Sequence, residues 1–135
     1  MSVVRLDDGR LWLHSPVTLD PPLRKELDAL GSVAFAVAPN RYHHLYMGHV
    51  VEAYPEALLY AAPGVERKRP ELHFEAVLGD ESPEGWTGQI EQLLFRGFPF
   101  ANEVAFFHPE SRTLILSDLA FNIDADSPEI GRAHV

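Results

Sequence analysis

The chain has 135 residues, 46% hydrophobic and 23% charged, and 20 Asp and Glu against 11 Lys and Arg give it a net charge of −9. That length and balance suit one folded domain with one core and argue against a disordered segment. With no cysteine, a disulfide scaffold, a thiolate metal site and cysteine catalysis are excluded, and the acidic balance argues against non-specific binding to nucleic acid, which needs cationic surface.

The first residues, Met1 to Gly9, lack the basic and apolar regions of a signal peptide. No apolar run reaches membrane-spanning length. The one basic run, Glu66-Arg67-Lys68-Arg69, has no interleaved aromatics and reads as a solvated turn. The expectation is a cytoplasmic protein acting on a small molecule, with neither nucleic acid nor membrane as partner. The oligomeric state is not legible.

In chain order, Val3 to Leu6 and Leu11 to His14 flank Asp7-Asp8-Gly9, the signature of a β-hairpin. Asp20-Pro21-Pro22 supplies an N-cap and prolines for the first helical turn. Leu23, Leu27 and Leu30 recur at helical spacing and Gly31 supplies the stop, so Pro21 to Leu30 is predicted as a short helix. Ser32 to Ala38 is a near-continuous apolar run, as in a strand covered on both faces. Pro39 breaks it and Asn40 can cap a helix beginning at the next residue. Arg41 to Tyr54 is predicted as that helix, with Met47, Val50, Val51 and Tyr54 on one stripe. Ala57 to Ala61 is the next strand, and alternating strands and helices imply parallel neighbours. Gln89 to Phe95, Glu103 to Phe107 and Thr113 to Ser117 then form an antiparallel meander. The expected fold class is α/β (α+β), a mixed β-sheet with helices on one face.

The residues most able to carry chemistry are His43 and His44, at the junction of an apolar strand and a helix. Ligands gather outside the carboxyl ends of strands in open α/β folds, and neutral imidazole is a common metal ligand. On a helix starting at Arg41, both rings extend the Met47 stripe inward. The same placement suits a pair that caps and packs. Asp118 ends a strand on the face of Leu114 and Leu116, where a carboxylate needs a cation or a backbone cap. Two histidines and one aspartate make three donors, as in catalytic zinc sites. His14, Asn102 and Glu103 stand at strand ends near the same rim and read as satisfied polar groups. His49, His73 and His108 read as surface or turn residues. No Gly-x-Ser-x-Gly elbow and no phosphate-binding glycine loop is present.

Four segments together carry a resemblance: Leu11-Trp12-Leu13-His14-Ser15-Pro16, Ala38-Pro39-Asn40-Arg41-Tyr42-His43-His44-Leu45, Asn102 to Phe107, and Thr113 to Asp118. Over residues 2 to 124 the chain resembles the N-terminal half of the αββα metallo-β-lactamase fold, within an uncharacterised branch that is a domain-of-unknown-function family. Laid on this chain, the superfamily's His-x-His-x-Asp-His motif falls on Pro39, Arg41, His43 and His44. A further histidine ligand falls on Phe98, and the bridging aspartate on Asp118. The resemblance therefore implies that the first-metal ligands are lost and that His43, His44 and Asp118 hold at most one divalent cation, zinc or iron. The function it implies is a divergent mononuclear metal-dependent hydrolase, with no catalytic residue assigned. The alternative is a non-catalytic binding or scaffolding descendant.

Ile130 to Val135 match the translation of a common sequencing adapter, ATC GGA AGA GCA CAC GTC, whose next triplet is a stop. The expectation is a domain over residues 1–128, shortened at its C-terminal end, followed by adapter translation over 129–135. His134 is therefore left out of every ligand set. A shortened sandwich is expected to leave one sheet face apolar and exposed.

Overall fold

The structure, a computed structural model, describes residues 1–97 and 102–120. Phe98 and the segment 129–135 lie outside the described residues. The chain opens with a hairpin of β1 (Ser2–Arg5) and β2 (Arg10–His14), paired antiparallel around Gly9, whose φ of +85° suits glycine. Helix α1 (Pro21–Leu30) then begins as its sequence requires. Asp20 Oδ1 accepts the Leu23 N–H at 2.9 Å, two prolines fill the first helical positions, and the Gly31 N–H closes on Leu27 O.

β3 (Ser32–Ala38) lies parallel to β2, and β4 (Leu58–Ala61) parallel to β3. Helix α2 (Met47–Ala53) joins β3 to β4. Helix α3 (Val65–Lys68) leads to a two-residue edge strand, β5 (Ala76–Val77), parallel to β4. The first sheet therefore runs β1-β2-β3-β4-β5. β6 (Glu91–Phe95), β7 (Glu103–His108) and β8 (Thr113–Ile115) form a second, antiparallel sheet. The fold is mixed α/β, with two sheets and three helices among the described residues. The single mixed sheet expected from the sequence is corrected to two. β5 is too short to continue the first sheet, and among the described residues β6 to β8 form ladders with one another and meet the first sheet's strand end only through an isolated bridge.

The two faces of the first sheet are covered differently. Trp12, His14, Phe35, Val37 and Tyr60 share one face by register. That face meets the second sheet through Phe106, whose ring lies 4.9 Å from Trp12, and meets Trp86 from the loop before β6, 4.6 Å from Tyr60 and 5.3 Å from Phe35. These edge-on contacts are the favoured aromatic geometry. Helices α1 and α2 pack against β3 and bury Leu27, Met47 and Val50. On the second sheet Leu94, Val104, Phe106 and Ile115 face inward. Leu93, Phe95 and Leu114 are exposed.

The basic run read as a turn forms α3, one helical turn following Gly64, whose φ is +93°. The second helix starts at Met47 rather than Arg41, so His43 and His44 lie in a turn before it. Within that helix Met47 and Val50 are buried but Val51 is exposed.

The path from α1 into β3 is tight. A Cβ on Gly31 would overlap the Gly9 carbonyl oxygen, and backbone cannot yield as a side chain does. Gly31→Ala is expected to lower stability by about 2 kcal/mol through overpacking. Urea unfolding checks this, and a loss below roughly 0.5 kcal/mol, the ordinary surface value, would contradict the close approach.

Candidate functional site at the strand ends

The carboxyl end of β3 is stitched to the start of β7. Pro39 O accepts the Val104 N–H at 2.9 Å, and Asn40 forms an isolated antiparallel bridge with Glu103. Glu103 is 1% exposed, so its carboxyl group needs internal partners. It has three. Oε1 accepts the Ser117 N–H at 2.7 Å, and Oε2 accepts the Asp118 N–H at 2.7 Å and Asn40 Nδ2 at 3.0 Å.

Asn40 is also 1% exposed. Its Nδ2 donates to Asp118 Oδ2 at 2.7 Å as well as to Glu103. Its Oδ1 accepts the Tyr42 and His43 N–H groups, both at 2.9 Å. Two donations and two acceptances use the whole hydrogen-bonding capacity of the amide. One side chain thus fixes the backbone of His43 and the carboxyl group of Asp118. The same Asx-type turn competes with helix formation and explains why α2 starts late.

His43 lies between two groups. Nε2 is 3.3 Å from Asp118 Oδ2, and Nδ1 is 2.5 Å from Ser15 Oγ. In the tautomer that carries its proton on Nε2, Nδ1 accepts the Ser15 hydroxyl. The His43 and Asp118 side chains are about one third exposed, so solvent reaches the pair. Ser15 directly follows β2, its N–H donates to Val37 O at 2.9 Å, and its φ is +52°. For a residue with a Cβ that conformation costs of order 1–2 kcal/mol.

His14 stands one residue before Ser15. It is 2% exposed, stacked on Trp12 at 5.9 Å and edge-on to Phe106 at 5.6 Å. Burial pushes its pKa down to about 3, and the charges of His43 and the chain's amino terminus act in the same direction. Its Nε2 has no hydrogen-bond partner among the described residues.

His44 turns to a different neighbourhood. Burial lowers its proton affinity first, then the positive charges of Arg69 and Lys68. Arg69 also donates to the His44 and Leu45 carbonyl oxygens, at 2.7 and 3.2 Å. Of the three residues expected to hold a cation, the structure brings together His43 and Asp118 and sets His44 beside two cations. Among the described residues no group of three or more His, Asp or Glu is arranged to hold a metal ion. The donors do not fit the three-ligand zinc or iron site.

Asn102 donates to Pro63 O at 2.9 Å and ties the start of β7 to the loop after β4. His49 packs edge-on to Tyr46, and His108 Nδ1 pairs with Ser111 Oγ at 2.7 Å. Two functional side chains are not evident from the sequence. Asn40 is legible there as a cap but not as a bridge. Ser15 is legible only as a hydroxyl between a strand end and Pro16.

Residues 1–134 match the family described as Domain of unknown function (DUF4336), and the chain belongs to that family. No curated protein matches the chain. The expected placement in the N-terminal part of a metallo-β-lactamase-like protein is corrected by this finding. The segments behind that resemblance are strands and strand ends, which report packing common to many α/β folds. The positions that carry the superfamily's chemistry hold Pro39, Arg41 and Phe98 instead of histidine. No helix among the described residues is long and apolar enough to cross a membrane.

Glu103→Gln would turn an NH₂ group toward an N–H donor and leave buried donors facing one another. It is expected to cost about 2 kcal/mol in chemical denaturation. A loss no larger than that of an exposed Glu→Gln change would contradict the three-donor arrangement. His14 makes a second prediction. Above pH 6.5 it is neutral in both folded and unfolded chains. As pH falls from 6.5 toward 3 only the unfolded chain takes up the proton. Stability should then fall by about 1.4 kcal/mol per pH unit through this residue. Unfolding measured at pH 7 and pH 5 should show His14→Leu losing less than the parent chain, and equal losses would contradict a buried neutral imidazole.

Proposed function

We propose that the chain is a hydrolase of small esters, with Ser15 as nucleophile, His43 as proton carrier and Asp118 as the group that orients the imidazole. The observation that carries this reading is the line of contacts from Ser15 Oγ to His43 Nδ1, a hydrogen bond of 2.5 Å, and on from His43 Nε2 to Asp118 Oδ2, a close approach of 3.3 Å. Such a line is recognised by geometry and roles rather than by sequence position. The ring runs in the opposite sense from the serine proteases, with Nδ1 toward the serine. The left-handed backbone at Ser15 supports the same reading, because strain of this kind clusters at active sites.

Ser15 Oγ attacks the ester carbonyl carbon as its proton passes to His43 Nδ1. The tetrahedral adduct collapses with cleavage of the bond to the alcohol oxygen, which takes that proton back from Nδ1. An acyl-serine remains. Water attacks it with His43 again accepting the proton, the carboxylic acid departs, and Ser15 is restored. Asp118 stabilises the imidazolium formed in each half without taking the proton.

Backbone help for the developing oxyanion is poor at the nucleophile. Pro16 has no N–H, and the Ser15 N–H is engaged by Val37 O. This reading assigns the donation to the phenols of Tyr42 and Tyr46, whose side chains line the adjoining pocket. Loss of one oxyanion donor typically costs 10²–10³ in rate. Turnover is therefore expected to be slow and confined to activated esters. The hydrolase expected from the sequence is kept in this reading, with an imidazole in place of a cation as the activator.

Ser15→Ala should abolish hydrolysis of p-nitrophenyl acetate and labelling by a fluorophosphonate, with labelling of the parent chain mapped to the Ser15 peptide. A parent chain that is neither active nor labelled overturns the reading and leaves the non-catalytic binding alternative. Ser15→Gly should be equally inactive yet about 1 kcal/mol more stable than Ser15→Ala, because both lack Oγ and only glycine relieves the left-handed strain. Equal stability would remove the strain argument.

A further inference from the structure

The Ser15–His43 pair opens onto a cavity of about 320 Å³. Its other walls are Met1, Pro16, Val17, Tyr42, Leu45 and Tyr46. None of these side chains is charged. Several are more exposed than an apolar residue in a short turn needs to be, with Leu45 at 66% and Tyr42 at 54%. Leu45 belongs to the turn that Asn40 sets and Arg69 pins through its carbonyl oxygen, so that wall is held in place by backbone bonds. The volume is at the small end of the range for ligand pockets, about 300–1,000 Å³.

Asp118 Oδ2 lies 3.3 Å from His43 Nε2, and neither Asp118 nor Glu103 lines the cavity. Lys68 lies 5.2 Å above the Tyr42 ring, and its ammonium group is bonded to Arg41 O. Arg69 is likewise engaged, by Leu45 O and by Glu71, and the amino terminus belongs to Met1, which lines the cavity.

We infer that this cavity receives the acyl part of the substrate, and that the substrate class is an uncharged ester of a short apolar acid. The inference rests on the Ser15 reading above. An apolar acyl chain buries its methylenes against Leu45, Val17 and Tyr46 and places its carbonyl carbon beside Ser15 Oγ. A carboxylate at the chain end would lie against these apolar side chains, a poor exchange for its hydration.

The test compares p-nitrophenyl acetate, butyrate and hemisuccinate, in the parent chain, Leu45→Asp and Ser15→Ala. Leu45 is exposed, so Leu45→Asp should fold as the parent does, and circular dichroism and urea unfolding check that it does. In the parent chain kcat/KM is expected to be about tenfold higher for butyrate than for acetate, the low end of what extra methylenes give in an apolar pocket. Hemisuccinate, similar in length but anionic, should fall about tenfold below butyrate. Leu45→Asp should remove the preference for butyrate, bringing the butyrate-to-acetate ratio of kcat/KM to about one. A parent chain that prefers hemisuccinate, or a Leu45→Asp chain that keeps its butyrate preference, overturns the substrate class. If Ser15→Ala is inactive toward all three esters in either of those cases, the nucleophile stands and only the class falls. If Ser15→Ala hydrolyses them as the parent does, the catalytic reading falls and the class falls with it.

Discussion

The buried pairing of Glu103 with Asn40 is the constraint on which the site depends. Each side chain is almost wholly removed from solvent, and each would be costly there alone. Together they are satisfied, and the way they are satisfied joins two sheets that share no strand. Asn40 follows β3 of the first sheet, while Glu103 opens β7 of the second and draws in the backbone after β8. A buried polar network of this kind gives up some burial energy and fixes one arrangement in return. The arrangement fixed here is the approach of the Asp118 carboxyl group to the end of β3.

The position of His43 depends on the same pair. Asn40 Oδ1 holds the His43 N–H and Nδ2 holds Asp118, so imidazole and carboxylate are referred to one amide. The cost falls on helix α2, which would begin a turn and a half earlier if Asn40 acted only as a cap. In exchange the residues from Arg41 to Tyr46 are free to follow the rim, and the ring of His43 reaches Ser15 at the end of β2. Three segments far apart in sequence meet in this way, one from each strand end.

Much of the scaffold was legible in the sequence. Helix α1 and strand β3 have the predicted bounds, because the cap, the prolines, the glycine and the apolar run all point the same way. The hairpin was legible from Asp8-Gly9, and the parallel order of β2, β3 and β4 from their alternation with helices. The separation into two sheets was not legible, since it depends on how short β5 is and on the loop that carries Trp86. At the site the sequence named His43 and Asp118, and the structure brings them together. It also named His44, but adjacency in a turn sends neighbouring side chains to different sides, whereas the inward stripe assumed a helix. Ser15 was not legible because its signal is a backbone angle and a partner 28 residues away. Glu103 read as an ordinary polar strand end because its partners are Asn40, 63 residues earlier, and the backbone after β8.

The electrostatic character of the site is set by how its carboxyl groups are held. Glu103 accepts two backbone N–H groups and an amide, and Asp118 Oδ2 accepts an amide before it meets His43. These donors are neutral dipoles. They solvate the oxygens where water cannot, and unlike a guanidinium they leave the negative charge uncancelled at longer range. Of the two carboxyl groups, that of Asp118 is the one that reaches His43, 3.3 Å from Nε2. His14, buried beneath and held neutral by its aromatic neighbours, adds no charge of its own to the site. The contact between His43 and Asp118 therefore rests on a carboxyl group held by an amide rather than by a cation, and the proton transfer proposed between Ser15 and His43 rests on that contact in turn.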